Sequence, residues 1–527
     1  MMASPPLSPI PVTQRLDVLD VLRGFALIGI CVVNVEFFNR PVVESGEGIP
    51  AGLRGLDWLS AFIVNYFVTG KFWILFSLLF GMGFALMLER ASAAGRPFLP
   101  AYLRRIAALA AFGLLHHIFL WSGDILLSYA IGALVLLIAL FARGKWLLAA
   151  ILACFALSAI PSLRVAGALA TPLIFAGLLA LYLRAEASKS MFPAAMVLPG
   201  SLMLLAGLIL ALSGKNEGVR EVVFTGALLI ALGLLAWRYS EPVSARPLRA
   251  GAAIFVVCFG LLVLDGGMRH FAPRSASLSS ASATSEHGET ASGDEAQRLR
   301  HRERVRRSQE ERKLLTQGSY LDTVAMRTRH LGERLRDEMG FGVVLVGVFL
   351  IGVWFVRSGV IANAHAHLPL FRRLAAFGIP IGLLLGLAGS LVATGRPSGV
   401  ADQGYDFAHA LLMLGSLPAS LGYMAAVVLL LHSRMKKTVG VLAPFGRMAL
   451  THYLTQTVVL SLLFYGYGAG LWGMGRTAQV AVALALCAAQ IALSHWWLAR
   501  FSQGPVEWLW RALTYLTMST FKQARKD

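Results

Sequence analysis

The sequence predicts an all-α polytopic integral membrane bundle of about 14 transmembrane helices, and three features predict it. Apolar residues make up 57% of the 527 and charged ones 14%, with a mean hydropathy of +0.67. A water-soluble core does not need that balance. Apolar stretches close to the ~20 residues that cross a hydrocarbon core as a helix recur along most of the chain. Lys and Arg gather in alternate connections between them, as the positive-inside rule expects.

Spans are expected near 19–38, 69–88, 103–121, 124–141, 146–161, 167–183, 195–213, 221–238, 250–265, 340–357, 374–394, 407–431, 442–464 and 478–498. The first follows a short, polar, Pro-rich segment (MMASPPLSPIPVTQ) without a clear small-residue cleavage site, so it reads as an uncleaved helix. Asp17, Asp20 and Arg23 stand at its mouth, where charges must pair, snorkel or face a polar cavity. The stretch 56–68 (LDWLSAFIVNYFV) reads as an interfacial or half-inserted helix. In the second span Ser77, Gly81 and Gly83 supply small residues for close helix contact. The third and fourth spans share a tight outer turn in which Asp124 can cap the helix that follows. Spans 146–161 and 250–265 are short and fit a tilted or partly re-entrant course. The last span leads into an amphipathic, Trp-bearing interfacial helix, where Glu507 and Arg511 at i,i+4 read as an anchor.

With the N-terminus inside, the cytoplasmic connections hold Arg90, Arg96, Arg104 and Arg105; Arg143 and Lys145; Arg184 and Lys189. They continue with Arg238, Arg246 and Arg249; Arg357, Arg372 and Arg373; and Arg434, Lys436 and Lys437. The tail, with Arg511, Lys522, Arg525 and Lys526, also falls inside, which requires an even number of crossings. Four regions follow: an N-terminal membrane region (1–161), additional membrane helices (162–269), a hydrophilic extracytoplasmic loop (270–338) and a C-terminal membrane domain (339–527). The loop opens with RSASLSSASATSEHGETASG, a composition that favours disorder. It continues with EAQRLRHRERVRRSQEERKLL, whose interleaved charges fit a solvated helix with i,i+4 pairs.

The formal net charge of +19 is spread between apolar runs, and acids interleave in the loop, so it reads as topology and the lipid bilayer as the partner, with no nucleic acid. Cys31, Cys154, Cys258 and Cys487 all sit inside apolar stretches without metal-type spacing, so neither a disulfide framework nor a metal site is expected.

Polar residues at membrane depth are the candidates for chemistry. On the first helix Asp20, Arg23, Leu27 and Asn34 fall near one face. Lys71 opens the second span near its outer edge, where snorkelling is its ordinary explanation. In YLRRIAALAAFGLLHHIFLWSGDILLSYAIG, Arg104 and Arg105 mark the inner end and His116 and His117 follow ~18 Å along. A His beside a carboxylate, here Asp124, can act as a general base at neutral pH. Helix packing is its bland explanation, and at most one of the adjacent histidines faces a given cavity. In APFGRMALTHYLTQ, Arg447, Thr451, His452, Thr455 and Gln456 fall on a polar stripe, with Arg447 a fork for phosphate or carboxylate.

The strings LDVLRGFALIGICVVN, GKFWILFSLLFGMGFAL, RRIAALAAFGLLHHIFLWSGDILLSYAIG, QGSYLDTVAMR, GRMALTHYLTQ and GPVEWLWR together resemble the YeiB-like family, bacterial multipass proteins carrying domain of unknown function 418. That family is distantly similar to the transmembrane acyltransferase superfamily. The resemblance implies the bacterial cytoplasmic (inner) membrane, an acyl-CoA donor on the cytoplasmic side, an acceptor on the outer side and an intramembrane His between them. His116 matches the Gly-x-x-His position after Gly113, and Asp124 matches the Gly-Asp-Ile-Leu motif. Arg23, Lys71, Arg447 and Gln456 match other motif positions without assigned roles. Between about 160 and 270 the chain departs from the family pattern, with more spans than expected.

Two functions are compatible with these residues. In acyl transfer, His116 takes a proton from the acceptor, Asp124 orients it, and Arg104, Arg105 or Arg447 binds donor phosphates, with Arg23, Asn34, Lys71, His452 and Gln456 as further substrate-facing candidates. In a transporter or flippase for a small anionic or lipid-like solute, the same intramembrane Arg, His and Asp line a proton-coupled path. A third, structural or signalling, function would use the outer loop.

Overall fold

The computed structural model describes residues 17–44, 48–50, 52–160, 165–184, 191–213, 219–271, 290–394, 404–518 and 521. The apolar runs fold into helices, because backbone polar groups in a bilayer must be satisfied within the segment. In order these are α1 (Asp17–Asn34), α2 (Gly55–Ile63), α3 (Lys71–Ala93), α4 (Phe98–Leu115), α5 (Leu126–Phe141), α6 (Gly144–Ser158) and α7 (Val165–Leu183). Next come α8 (Met191–Leu212), α9 (Val219–Arg238), α10 (Arg246–Phe271), α11 (Thr290–Gln317), α12 (Tyr320–Arg329), α13 (Leu331–Arg357), α14 (Leu368–Arg373) and α15 (Ile379–Thr394). The chain closes with α16 (Gly404–Leu431), α17 (Lys436–Gly440), α18 (Leu442–Arg447), α19 (Ala449–Phe464), α20 (Arg476–Leu498) and α21 (Pro505–Tyr515).

Among the described residues eight helical segments are long and apolar enough to cross a membrane, and six further apolar helices have 10–17 residues. The chain is therefore a helical membrane protein, and length alone carries eight of the expected crossings. Span 250–265 is not short: α10 runs from Arg246 to Phe271. Span 442–464 is not one helix. Met448, at φ −110°, breaks it into α18 and α19.

The helix α13 is the most deeply buried of these spans and packs against α3, α5 and α10. Gly81 admits the α13 backbone at Phe349, which is the close contact expected of the small residues on α3. Among the described residues three helices carry a π-turn at one end: Val64–Val68 after α2, His116–Leu120 after α4 and Leu374–Gly378 after α14. Such turns leave backbone groups to be satisfied from elsewhere and often mark functional positions.

The charged loop is not merely a solvated helix. Its Ser-rich first part lies mostly outside the described residues, but α11 and α12 are seated on the membrane helices. The Glu311 carboxylate accepts from Val42 N (3.2 Å) and Val43 N (3.4 Å), and Gly466 N donates to Leu315 O (2.8 Å). Tyr320 Oη donates to Phe119 O (3.0 Å), and Arg327, buried, reaches Ile118 O (3.4 Å). Both carbonyls belong to the π-turn after α4.

Candidate functional site

Polar groups converge between α1, α3, α4, α5, α18, α19 and α21, where a cavity of ≈270 Å³ runs through the bundle. One end is charged. Arg23, Arg90, Arg105, Arg447 and Arg511 line it against two carboxylates, Asp20 and Glu507. Both acids are already engaged. Asp20 holds Arg23 at 2.6 Å. Glu507 accepts from Leu450 N (2.7 Å), Thr451 N (3.0 Å) and the Thr451 hydroxyl, which caps the free amide groups of the first turn of α19. The arginines are thus in excess, and the guanidinium forks suit phosphate or carboxylate groups. Arg105 is fixed by stacking its guanidinium 3.8 Å from the centre of the Trp510 ring, whose Nε1 donates to Arg105 O (3.1 Å). Arg447 gives Nη2 to Ser502 O (3.3 Å), and its Nε has no partner among the described residues.

Gly446 brings α1 and α18 together at this end. A Cβ there would sit 1.8 Å from Asp20 O, so the close approach that sets Arg447 beside Asp20 and Arg23 needs a glycine.

From the arginines the cavity becomes apolar, lined by Leu27, Ile30, Phe76 and Phe80, and it ends at Ile125, Leu126, Tyr129 and Tyr453. Beyond that end lies the His–Asp pair. His116 Nδ1 is 2.8 Å from Asp124 Oδ1 and Nε2 is 3.0 Å from Thr457 Oγ1. Asp124 Oδ2 accepts from Leu127 N (2.9 Å), the capping bond expected of it. Arg334 donates to Asp124 O (2.6 Å) from the start of α13. All three side chains are sealed: His116 is 1% exposed, Asp124 and Thr457 2% each. Gly113 makes this possible, since a Cβ there would stand 2.4 Å from Leu127 N and 3.0 Å from Asp124 Oδ2. The Tyr453 ring, which lines the cavity, also packs on His116 with ring centres 5.1 Å apart. The pair and the cavity therefore share one tyrosine wall.

Other candidates go elsewhere. Arg104 does not line the cavity; its Nε donates to Thr514 O (2.9 Å) and ties α4 to α21. His452 and Gln456 face α20: His452 Nε2 is 2.6 Å from Ser494 Oγ, and Gln456 Nε2 donates to Gln490 Oε1 (2.9 Å). They form a polar clamp between helices, so the stripe read on α19 splits over two faces. Asn34 is half-buried at the far end of α1, away from the cavity. Lys71 does not snorkel. It is fully buried, and its ammonium donates to Tyr66 O (2.8 Å) within the π-turn before α3.

The structure also adds residues. Glu507 and Arg511 line the cavity and are more than an anchor, and Arg90, Tyr453 and Thr457 were not singled out. In the sequence Arg90 is one of several basic residues of a cytoplasmic connection, with nothing to set it apart. Thr457 lies ten residues after Arg447 on a run of apolar and hydroxyl residues, with no local signal to set it apart.

Residues 355–517 match the family described as "Protein of unknown function (DUF418)". The chain is similar along 99% of its length to "Uncharacterized protein YxaH" of Bacillus subtilis (strain 168), 26% identical over 527 residues and covering 99% of that relative. It is similarly 26% identical over 510 residues to "Uncharacterized protein YeiB" of Escherichia coli (strain K12), 95% of this chain and 96% of the relative. The chain is thus similar to the YeiB-like DUF418 proteins, by the family's pattern over 355–517 and by these two relatives along nearly its full length. A shorter match, 37% identical over 131 residues, is to an "Uncharacterized 39.9 kDa protein in amylase 3'region" of Bacillus acidopullulyticus, covering 25% of this chain and 36% of that one. The region matched by the family begins at the end of α13 and contributes Arg447, Tyr453, Thr457, Glu507 and Arg511 to the geometry above, while Arg23, Arg90, Arg105, His116 and Asp124 come from the N-terminal helices. No solved structure matches the chain.

Proposed function

We propose that this protein transfers an acyl group from a cytoplasmic acyl-CoA to an acceptor on the outer side of the bacterial cytoplasmic membrane. In this reading the six shorter apolar helices also cross, giving about fourteen spans with both termini inside, by local thinning of the bilayer. One observation carries the proposal: the cavity that is rich in arginine at one end runs under apolar walls to Tyr453, against which His116 is packed with Asp124 bonded to its Nδ1. Arg23, Arg90, Arg105, Arg447 and Arg511 lie at the helix ends that the Lys/Arg bias places in the cytoplasm, where donor phosphates would be met. The apolar shaft suits an acyl chain and keeps water away from a thioester. His116, with Nδ1 held by Asp124, is the base behind the Tyr453 wall at the far end.

The test uses purified protein in proteoliposomes with acetyl-CoA as the probe and release of free CoA as the signal. Turnover that falls ~100-fold in His116→Ala and in the paired change Arg105→Ala/Arg447→Ala supports the reading. No release of CoA by the wild type sinks it. Uptake of an anionic solute without covalent change would favour the transporter instead, for which an excess of intramembrane arginines is equally suited.

A further inference from the structure

We propose that Thr457 is a catalytic nucleophile that carries the acyl group as an ester between donor and acceptor, an inference that rests on the acyl-transfer reading. The three side chains Asp124, His116 and Thr457 stand in series: carboxylate to Nδ1 at 2.8 Å, Nε2 to hydroxyl at 3.0 Å. A hydroxyl, a base and a group that orients the base, each within hydrogen-bond reach, are recognised by geometry and not by their order in a sequence. Asp124 has its second oxygen tied to Leu127 N, so its first oxygen is aimed at Nδ1–H and the lone pair of Nε2 is left toward Thr457.

The burial of the triad argues for the covalent route. Nε2 is already taken up by Thr457, so a base acting directly on an acceptor would first have to break that bond. With Thr457 as the nucleophile that bond is kept, and what has to move is the Tyr453 wall between the hydroxyl and the cavity. The hydroxyl proton has two acceptors within reach, Nε2 at 3.0 Å and Tyr453 O at 3.2 Å, and the first is the reactive alignment. One further group adjoins His116 with a polar hydrogen that lacks a partner among the described residues: Trp121, ring centres 6.4 Å apart. A buried donor left unpaired is costly, which makes Trp121 Nε1 the candidate to meet the oxyanion of an acyl-transfer intermediate.

The step balances without a co-reactant. The Thr457 hydroxyl proton passes to His116 Nε2 as Oγ1 attacks the thioester carbonyl carbon. The carbon–sulfur bond breaks, and the CoA thiolate takes the proton from Nε2. An acceptor hydroxyl or amine then gives its proton to Nε2 and attacks the ester. The bond between the acyl carbon and Oγ1 breaks, and Thr457 recovers the proton. Only the acyl group moves toward the outer side; the charged nucleotide stays with the arginines.

The experiment needs no acceptor. Full-length protein is incubated with labelled acetyl-CoA, quenched in acid and read by peptide mass spectrometry, with CoA release followed in parallel. The wild type is expected to release a burst of CoA equal to the protein concentration and to carry acetyl on the peptide that contains Thr457. Thr457→Ser keeps the adduct. Thr457→Val loses it and slows transfer ~100-fold or more, while acetyl-CoA still shifts its thermal transition as it does for the wild type, which separates loss of the nucleophile from loss of folding. Transfer by Thr457→Val at the wild-type rate, or an adduct on another residue, overturns the nucleophile and leaves acyl transfer standing. A wild type that neither releases CoA nor acquires label overturns both.

Discussion

A buried histidine held at both nitrogens has its tautomer chosen for it, and that choice can be tested one residue at a time. Asp124→Asn keeps the shape but can donate to Nδ1, which turns the Nε2 lone pair away from Thr457; acetyl transfer should fall by about 10³ with little change in apparent acetyl-CoA affinity. Glu507→Gln removes an acceptor from the first turn of α19, where three donors meet one carboxylate; it should cost about 1–3 kcal/mol, read as a lower melting transition in detergent. At this scale the sequence was informative in part. The His116–Asp124 pair was legible because both lie within one short string and polar groups at that depth are few. Thr457 was not, since it comes from 341 positions further along and only packing brings it to Nε2. Arg104 and Arg105 looked equivalent for the same reason: adjacent residues on a helix point apart, and the sequence alone does not say which faces the cavity.

Among elements, the α11–α12 cap is where pH should act. Glu311 is buried under Val42 and Val43, and burial pushes its carboxyl above the usual range, against the lowering effect of the two amide donors. An acid with a raised value in the seated form binds more protons there than when released. Seating is therefore favoured below the ordinary carboxylate range and weakens as pH rises through the raised value. Hydrogen exchange at Val42 and Val43 should accordingly speed up at pH 8 relative to pH 5 beyond the intrinsic rate, and Glu311→Gln should flatten that difference. Helix existence was readable from apolar runs throughout. The break at Met448 was not, because a hydrophobic stretch such as 442–464 continues across it without a change in composition. The π-turns were likewise hidden: they depend on which carbonyls find partners elsewhere, and those partners are remote in sequence.

For the whole molecule, the arrangement of charge along the chain makes one claim about orientation. Single cysteines placed near Arg434 and near Arg312 should lie on opposite sides of the membrane, so that a membrane-impermeant maleimide added to intact cells labels only the second; labelling of the first alone would reverse the proposed topology, and labelling of both would overturn it. Composition was enough to establish a helical membrane protein. The number of crossings was harder, since six apolar helices of 10–17 residues fall below the length that decides the matter alone.

The cap also reaches into the membrane region. Tyr320 and Arg327 satisfy the carbonyls of Phe119 and Ile118, in the same turn that begins with His116. A hybrid in which a relative's hydrophilic insert replaces residues 318–329 must therefore import matching donors. Without them two peptide oxygens are orphaned next to the imidazole, and the graft damages the heart of the bundle from outside it.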